Sequence, residues 1–394
     1  MNEMTWKSRR ILTAHGFVDG YLTVCGGRIT NVSVTHDGDY EDLGDLGIFP
    51  GIIDVHNHGF GGWSMTDPCT PNEVRGYAKA LTSIGITGIL PTAKETAFEA
   101  IAQVMDEEYD GARIYGIHSE GPFWARGGEK TVGLSWPSPN VEETKRLVAL
   151  AHGKMRVMAI APELPGAYEV IRYLHSQNIK VACCHTAAHA QQIYDAARLA
   201  GFDIATHLGN GMQGIHHRDV GALGALLLLD NIYYEIITDL NHLCPDMLRL
   251  MFKLQPYSKF CLISDSNYIA GLPAGTYLRY GRENYANENG LILNSDGRIC
   301  GSGCWVLRNI SQLVHHVQVP MEQAFYMASI NPAKYLGIDR ETGSIESGKR
   351  ADLIFVDDTF TCQRTYVGGK LVFDRRVDTP EQFFNAEALQ LKVN

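Results

Sequence analysis

The sequence predicts a (β/α)8 barrel accompanied by a small β-sandwich that both chain ends build together. Three observations support this prediction. Eight short apolar segments alternate with amphipathic runs, both ends of the chain consist of short strand-like stretches, and side chains of metal-ligand type follow the apolar segments. Alternating strands and helices indicate a parallel sheet, and eight such units indicate a closed barrel. We expect the barrel at residues 51–344 and the sandwich at residues 1–50 together with 345–394.

The predicted barrel strands lie in the first two-thirds of the chain. They span residues 52–56, 86–91, 113–118, 156–161, 179–185, 203–207, 232–238 and 260–265. The amphipathic runs between them have helical spacing and are clearest at residues 72–83, 141–151, 167–176 and 190–200. After the eighth strand, residues 276–304 are rich in glycine and asparagine, which predicts a hairpin insertion.

The two flanks of the barrel are predicted to fold together. Residues 9–48 and residues 350–374 both contain short alternating stretches separated by glycine turns. Neither flank is long enough to bury a core of its own. We therefore expect the two flanks to pair in one small β-sandwich beside the barrel.

The composition narrows the class of protein. The chain has 394 residues, of which 45% are hydrophobic and 20% charged, as in ordinary globular proteins. It contains neither an apolar run of membrane-spanning length nor a secretory signal pattern, so no membrane contact is expected. Nine cysteines at irregular spacing indicate reduced thiols and a cytoplasmic location. The net charge of −10 and the lack of a basic run argue against a nucleic-acid partner.

The ends of the predicted strands carry side chains that metal ions prefer. These residues are His56 and His58 after strand 1, His118 and Glu120 after strand 3, His185 after strand 5, His207 after strand 6 and Asp265 after strand 8. Residues i and i+2 of a strand point to the same side, so His56 and His58 are directed at one spot. Barrel enzymes carry their chemistry at the carboxyl ends of the strands. The pattern therefore predicts a metal site there.

Short motifs in a fixed order along the chain carry a family resemblance. They are PGIIDVHNHG at 50–59, EGPF at 120–123, THL at 206–208, HHRDVG at 216–221, SD at 264–265, AGLPAGTY at 270–277, GS at 301–302, NPA at 331–333 and GSIESGKRADL at 343–353. On these motifs the chain resembles the amidohydrolase superfamily, and within it the N-acetylglucosamine-6-phosphate deacetylases. The resemblance implies hydrolysis of an N-acetylated amino-sugar 6-phosphate to acetate and the amino-sugar phosphate.

The resemblance also implies roles at a metal centre. Three side chains would hold the primary divalent ion: Glu120, His185 and His207. His56 and His58 would hold a second ion, with Glu120 bridging the two. Zinc is favoured, and iron and manganese stay open because these ligand types do not discriminate between them. Asp265 would accept a proton from the attacking water and pass it to the leaving amine.

The phosphate is expected away from the metal. The resemblance implies that Arg218 and His242 bind it, with backbone N–H groups around Asn210 and Gly211 as further donors. A guanidinium group suits phosphate because its donors form a two-pronged fork. In the family this end of the pocket is completed across a dimer interface, so the resemblance implies a homodimer.

The chain departs from the family pattern in the sugar pocket. Ser135 stands where a histidine is expected, Gly209 and Gly211 stand where larger residues are usual, and Cys184 and Thr186 replace a glycine and a serine. These differences leave the sugar open, and N-acetylgalactosamine 6-phosphate is a competitor.

Two other classes of protein stay open on the sequence. One is a different metal-dependent amidohydrolase, acting on a cyclic amide or an N-acyl amino acid. The other is a relative without enzymatic activity that serves as a binding protein. The pairing of Arg218 with His242 argues against the first class, and the complete set of metal ligands argues against the second.

Overall fold

The centre of the molecule is a barrel of parallel strands. The computed structural model describes residues 3–127 and 136–393. The barrel strands are Ile52–Asn57, Ile86–Ala93, Arg113–Ile114 with Ile117–Glu120 as a split third strand, Met155–Ile160, Lys180–Cys183, Ile204–Ala205, Tyr233–Ile237 and Phe260–Ile263. Each strand pairs in parallel with its successor along the chain, which confirms the predicted barrel and its strand order.

Side-chain and loop hydrogen bonds join the last barrel strand to the first. The buried carboxylate of Asp54 accepts the Ser264 hydroxyl at 2.6 Å and the Ser264 backbone N–H at 3.3 Å. Beyond this contact, the backbone N–H of Asp265 donates to the carbonyl of His56 at 2.9 Å. The closure therefore brings the ends of strands 1 and 8 directly together.

Helices cover the outside of the barrel. The α-helices are Pro71–Thr82, Glu95–Met105, Val141–Leu150, Ala167–Ser176, Ala190–Leu199, Gly221–Leu227, Pro245–Leu254, Val306–Gln312, Met321–Ala328, Ile330–Leu336 and Ala386–Leu389; Tyr257–Lys259 and Pro380–Phe383 are 3-10 turns, and Leu313–Val317 is a π-helical turn. The first helix shows why such segments form. Thr70 and Glu73 make a reciprocal capping box and proline follows the cap, while Val74 and Tyr77 lie on its buried face.

The barrel interior is filled by small and branched side chains. Ile53, Val55, Val157 and Ile263 belong to this interior cluster, and Tyr335 from the helix Ile330–Leu336 packs at its lower end. A barrel packed in this way offers no passage, so its open surface is the end at which the strands finish.

Strands from both chain ends share one eight-stranded sheet. They are Glu3–Thr13, Gly16–Cys25, Arg28–Ser33, Glu41–Asp42, Gly47–Pro50, Leu353–Val356, Cys362–Val367 and Lys370–Asp374. The junction is antiparallel, with Ile354 opposite Phe49. This pairing confirms the predicted union of the two flanks, while the division at residues 50/51 and 344/345 stays a prediction.

The insertion after strand 8 is larger than the predicted hairpin. It forms an antiparallel sheet of four strands, Gly275–Arg279, Arg282–Ala286, Leu291–Asn294 and Ile299–Ser302, which Lys392–Val393 joins as a fifth. We call this the insert sheet. The segment after Asp374 thus leaves the terminal sheet, and Ala388 shares a small apolar core with Tyr277 and Ile292 of the insert sheet. A two-residue strand, Gly59–Phe60, also pairs with Trp63–Ser64 beside the barrel.

Within the described residues, no helix combines the length and the apolar character needed to span a membrane.

Candidate active site

Glu120 lies at the centre of the strand-end cluster. Its Oε1 atom is 3.1 Å from His185 Nε2 and 3.0 Å from His207 Nε2. Its other oxygen, Oε2, is 3.3 Å from His58 Nε2. The two oxygens therefore face imidazoles from opposite sides of the barrel mouth, as a carboxylate shared by two ion sites would.

Asp265 completes a second group with the two histidines of strand 1. Its Oδ1 atom lies 3.2 Å from His58 Nε2 and 3.5 Å from His56 Nε2. In each of the two groups, one around Glu120 and one around Asp265, the ligand atoms lie within 4.8 Å of one another. All six side chains expected at the metal centre are therefore brought together at one point.

The donor atoms fit a divalent metal ion. Nitrogen and oxygen ligands about 2.0–2.2 Å from a tetrahedral ion lie roughly 3.3 Å apart, close to the distances between these donors. His56 Nε2 is buried without a hydrogen-bond partner and faces both carboxylates. Sequence reasoning treated Cys184 only as a departure from the family, but its Sγ atom lies 3.6 Å from both Glu120 Oε1 and His207 Nε2.

The charges of the cluster also favour a cation. Burial would raise the pKa of Asp265, but the hydrogen bond to His58 and nearby histidines outweigh it and lower the pKa to about 2. Burial would likewise raise the pKa of Glu120, yet its three imidazole contacts hold it well below the usual range. Burial lowers the pKa of His56 to about 4, which leaves this imidazole neutral and able to bind a metal ion.

Three residues of the cluster have strained backbones. The φ angles of His185, His207 and Asp265 are 45°, 29° and 48°, in the left-handed region that side chains other than glycine avoid. Each of these residues follows the last paired residues of its barrel strand. Such strain persists only where the surroundings enforce it, and it concentrates at functional sites.

Glu235 supports the cluster from below, and sequence reasoning missed it. Its Oε2 atom is 2.9 Å from His56 Nδ1, and both side chains are buried. This contact directs the other nitrogen of His56 toward Glu120 and Asp265. The signal available in the sequence was the carboxylate of Glu235 within an otherwise apolar predicted strand. His118 lies beside it, with Nδ1 3.2 Å from the carbonyl of Val55, rather than with the metal-ligand groups above.

A cavity of about 780 Å³ opens above the cluster. Asn210, Gly211 and His242 line it, as expected for the phosphate end. Gly211 has a φ of 61°, and a Cβ atom there would come within 2.9 Å of His185 Nδ1. The ring of Trp124 lies against that of His185 with 4.3 Å between centroids. The close approach of His185 therefore explains why residue 211 is a glycine, where the family usually has a larger residue.

His242 is held by a carboxylate. Its Nδ1 atom is 2.8 Å from Asp239 Oδ2, which also accepts the Ser302 hydroxyl at 2.8 Å. Burial would lower the pKa of His242, but the contact with Asp239 outweighs it and raises the pKa. A positively charged imidazole beside the cavity suits an anionic substrate group.

Arg218 lies apart from the other expected site residues. It is exposed, donates to His217 Nε2 at 2.9 Å and does not line the cavity of its own subunit. Ser135, the other departure noted in the sugar pocket, lies outside the described residues.

The chain is similar to known proteins in sequence and in fold. The amidohydrolase family matches residues 48–372. N-acetylglucosamine-6-phosphate deacetylase of Vibrio furnissii is 33% identical over 90% of this chain and 91% of its own. N-acetylgalactosamine-6-phosphate deacetylase of Escherichia coli O157:H7 is 31% identical over 93% and 98%. A solved N-acetyl-D-glucosamine-6-phosphate deacetylase mutant from Mycobacterium smegmatis, in complex with N-acetyl-D-glucosamine-6-phosphate, superposes with a TM-score of 0.85 at 26% identity, covering 94% of this chain and all of the other.

Proposed function

The chain belongs to the amidohydrolase family, and on that premise we propose that it deacetylates an N-acetylated amino-sugar 6-phosphate. The products are acetate and the amino-sugar phosphate. The observation that carries this proposal is the convergence of Glu120 and Asp265 with four imidazoles beneath one cavity. Relatives that resemble the chain over nine-tenths of its length carry out this reaction, by their names.

We propose two groups of metal ligands. One consists of Glu120, His185 and His207; the other consists of His56, His58 and the shared Glu120. Bound there, a divalent ion, zinc in the first instance, would lower the pKa of a coordinated water and polarise the acetamide carbonyl. Glu235 would hold His56 in the tautomer that presents Nε2 to the ion.

Asp265 is the proposed proton carrier. It is ionised at neutral pH, and its Oδ1 atom lies within the ligand cluster. It would accept a proton from the attacking water and deliver it to the nitrogen of the departing amine, so that the C–N bond breaks without expulsion of an amide anion.

The phosphate is assigned to the side of the cavity formed by Asn210, Gly211 and His242. A protonated His242 would contribute charge there, and the backbone N–H groups would contribute neutral donors. Arg218 would reach this phosphate from a partner subunit, since it does not line the cavity of its own. We therefore propose a homodimer, and the free cysteines support a cytoplasmic location.

The sugar is decided by a substrate panel. Acetate release is measured for N-acetylglucosamine and N-acetylgalactosamine, each with and without the 6-phosphate. We expect turnover of the phosphorylated sugars, with N-acetylglucosamine 6-phosphate as the better substrate. A higher kcat/KM for the galactosamine compound would support the second candidate, which the 31% identical relative favours. No preference for phosphate would favour an amidohydrolase of another class.

A further inference from the structure

Three cationic side chains on the rim of the cavity form no ion pair with any described residue. Lys94, Arg282 and Arg298 all line it, and no ion pair or side-chain hydrogen bond engages them among the described residues. Arg279 differs, because it pairs with Asp67 at 3.2 Å and lies over the ring of Tyr268. Arg279 is thus occupied in the fold, whereas the other three charges are available to a ligand.

These three residues come from two elements that meet over the cluster. Lys94 directly follows the second barrel strand, Ile86–Ala93, and begins the helix Glu95–Met105. Arg282 opens the second strand of the insert sheet, and Arg298 ends the turn between its third and fourth strands. Asn284 pairs with Asn294 in two antiparallel strands of that sheet, so Arg282 and Arg298 lie at the same end of the sheet.

The charges are close enough to act on one another and on the metal-ligand cluster. Burial lowers the pKa of Lys94 and Arg282 lowers it further, while Asp67 and then Glu120 act in the opposite direction. Burial raises the pKa of Cys300 to about 11, with Asp265 raising it as well and Arg282 opposing them. Lys94 and Arg282 therefore line the cavity close enough to each other and to the carboxylates of the cluster for their charges to interact.

Uncompensated like charges on one rim destabilise the free protein. Four carboxylates line the cavity: Glu120 and Asp265 belong to the metal-ligand cluster, Asp67 pairs with Arg279, and Asp296 is outside these contacts. Lys94, Arg282 and Arg298 therefore outnumber the lining carboxylates that are not already engaged. An anion bound at this rim would remove the repulsion and gain charge-assisted hydrogen bonds.

We propose that Lys94, Arg282 and Arg298 form an anion subsite that binds a negatively charged substituent of the substrate within one subunit. This inference rests on the proposed function and adds a second anion-binding position, formed by lining residues other than His242. The cavity of about 780 Å³ is near the upper end of the roughly 300–1,000 Å³ of small-molecule sites, which leaves room for a sugar with two anionic groups. The ligand chemistry is a phosphate or carboxylate on an acetamido sugar.

The test uses single alanine variants of Lys94, Arg282 and Arg298 in the full-length metal-loaded protein. Arg340 and Lys253 provide matched controls, because both are exposed, lie outside the cavity and lack ion pairs among the described residues. Calorimetry measures binding of inorganic phosphate and of glucosamine 6-phosphate. Kinetics measure kcat/KM for N-acetylglucosamine 6-phosphate, for the unphosphorylated sugar and for an analogue with an additional 3-O-carboxyalkyl group.

We expect Arg282→Ala to weaken binding of an anion about ten-fold or more, with Arg298→Ala and Lys94→Ala acting in the same direction. A fall in the ratio of kcat/KM values for the phosphorylated and unphosphorylated sugars would identify the 6-phosphate as the bound group, and would move it away from the position assigned to it beside His242. A fall confined to the carboxyalkyl analogue would identify a second anionic group. Both results support the subsite.

Wild-type binding and kinetics in all three variants, matching Arg340→Ala and Lys253→Ala, would overturn the subsite. Failure of the proposed function would look different. In that case the wild type would release no acetate from any acetamido sugar, while inorganic phosphate would still bind less tightly to the Arg282→Ala protein than to the controls.

Discussion

At the residue scale, the site depends on the short distances between its carboxylates and its imidazoles. Glu120 and Asp265 together lie within 3.5 Å of four histidine nitrogens. Both acids stay ionised although they are buried, because the histidines offset the cost of desolvation. Each acid is therefore kept ionised by the imidazoles around it, and a replacement that keeps the shape of the side chain is the informative one to test.

Replacing Asp265 with asparagine tests the proton carrier. The amide keeps the shape of the side chain but does not accept a proton at neutral pH. We expect kcat to fall about 100-fold or more, with the metal content and the melting temperature little changed. Steady-state kinetics measure kcat, elemental analysis measures the metal content and thermal denaturation measures the melting temperature. Asp230→Asn, a change at an exposed residue, serves as the control. Near-normal turnover in Asp265→Asn would assign the proton transfer to another residue.

The raised pKa of His242 predicts that substrate binding depends on pH. Its folded-state pKa is raised above the ordinary value of about 6.5 by Asp239, so the imidazolium is fully present below that value and is lost as pH rises through the raised pKa. The KM for a phosphorylated substrate should therefore increase on the alkaline side, while the unphosphorylated sugar shows a smaller change. In His242→Gln this difference should disappear. An unchanged pH profile in the variant would exclude His242 from phosphate binding.

The sequence predicts the site residues that lie at strand ends, but not the residues that reach the site through contacts formed only in the folded protein. The five expected metal ligands and Asp265 were recognisable because each lies at, or within two residues of, the end of an apolar segment. Glu235 was missed because its role depends on a contact with His56, 179 residues away along the chain. The Lys94, Arg282 and Arg298 rim depends in the same way on how the insert sheet folds over the barrel.

At the element scale, the closure between the first and last barrel strands sets the position of Asp265. Asp54 is fully buried and bridges to Ser264, and burial raises its pKa to about 7. Ser264→Ala would leave a buried carboxyl oxygen without its hydroxyl partner. We expect a loss of about 1–3 kcal/mol in unfolding free energy. Chemical denaturation measures it, with the exposed Ser295→Ala as the control; equal stability in both variants would mean that the bridge does not hold the barrel closed.

The predicted elements differ from the observed ones mainly where the backbone serves the site. The fifth and sixth barrel strands are shorter than predicted, at Lys180–Cys183 and Ile204–Ala205, because the residues that follow turn into left-handed conformations. Local apolar patterning carries no information about such strain. The amphipathic helix Ala167–Ser176 was predicted to the residue and the other three to within one residue at each end, because helical spacing indicates which face is buried.

At the scale of the whole molecule, the pairing of both chain ends places the terminal sheet at the entry to the first barrel strand. Gly47–Pro50 leads into Ile52–Asn57, and Leu353–Val356 lies beside it. The strand that carries His56 is thus anchored by residues from the other end of the sequence. Sequence patterning predicted this union because neither flank has enough apolar residues for a core.

Arg218 provides a test of the dimer. We expect Arg218→Ala to lower kcat/KM about ten- to a hundred-fold for the phosphorylated sugar and far less for the unphosphorylated one. If the arginine acts across an interface, mixing Arg218→Ala subunits with Asp265→Asn subunits should produce activity well above that of either variant. In the mixed dimer, one site has its own aspartate and the partner's arginine.

The control for that experiment is mixing each variant with itself, which should restore nothing. The decisive result against this idea is a mixture of Arg218→Ala and Asp265→Asn subunits that shows no gain in activity even though the subunits are shown to exchange. That result would mean that Arg218 acts within its own chain or has no role in the reaction. Equal losses on both sugars in Arg218→Ala would make the residue structural.

The central claim is metal-dependent release of acetate at the Glu120 cluster. The most direct measurement is acetate release from N-acetylglucosamine 6-phosphate by the chelator-treated protein, followed by titration with divalent zinc, in the wild type and in His207→Ala. We predict that the treated wild type is inactive, recovers on addition of one to two ions per subunit, and that His207→Ala does not recover. Full activity in protein shown by elemental analysis to be free of metal would contradict the account.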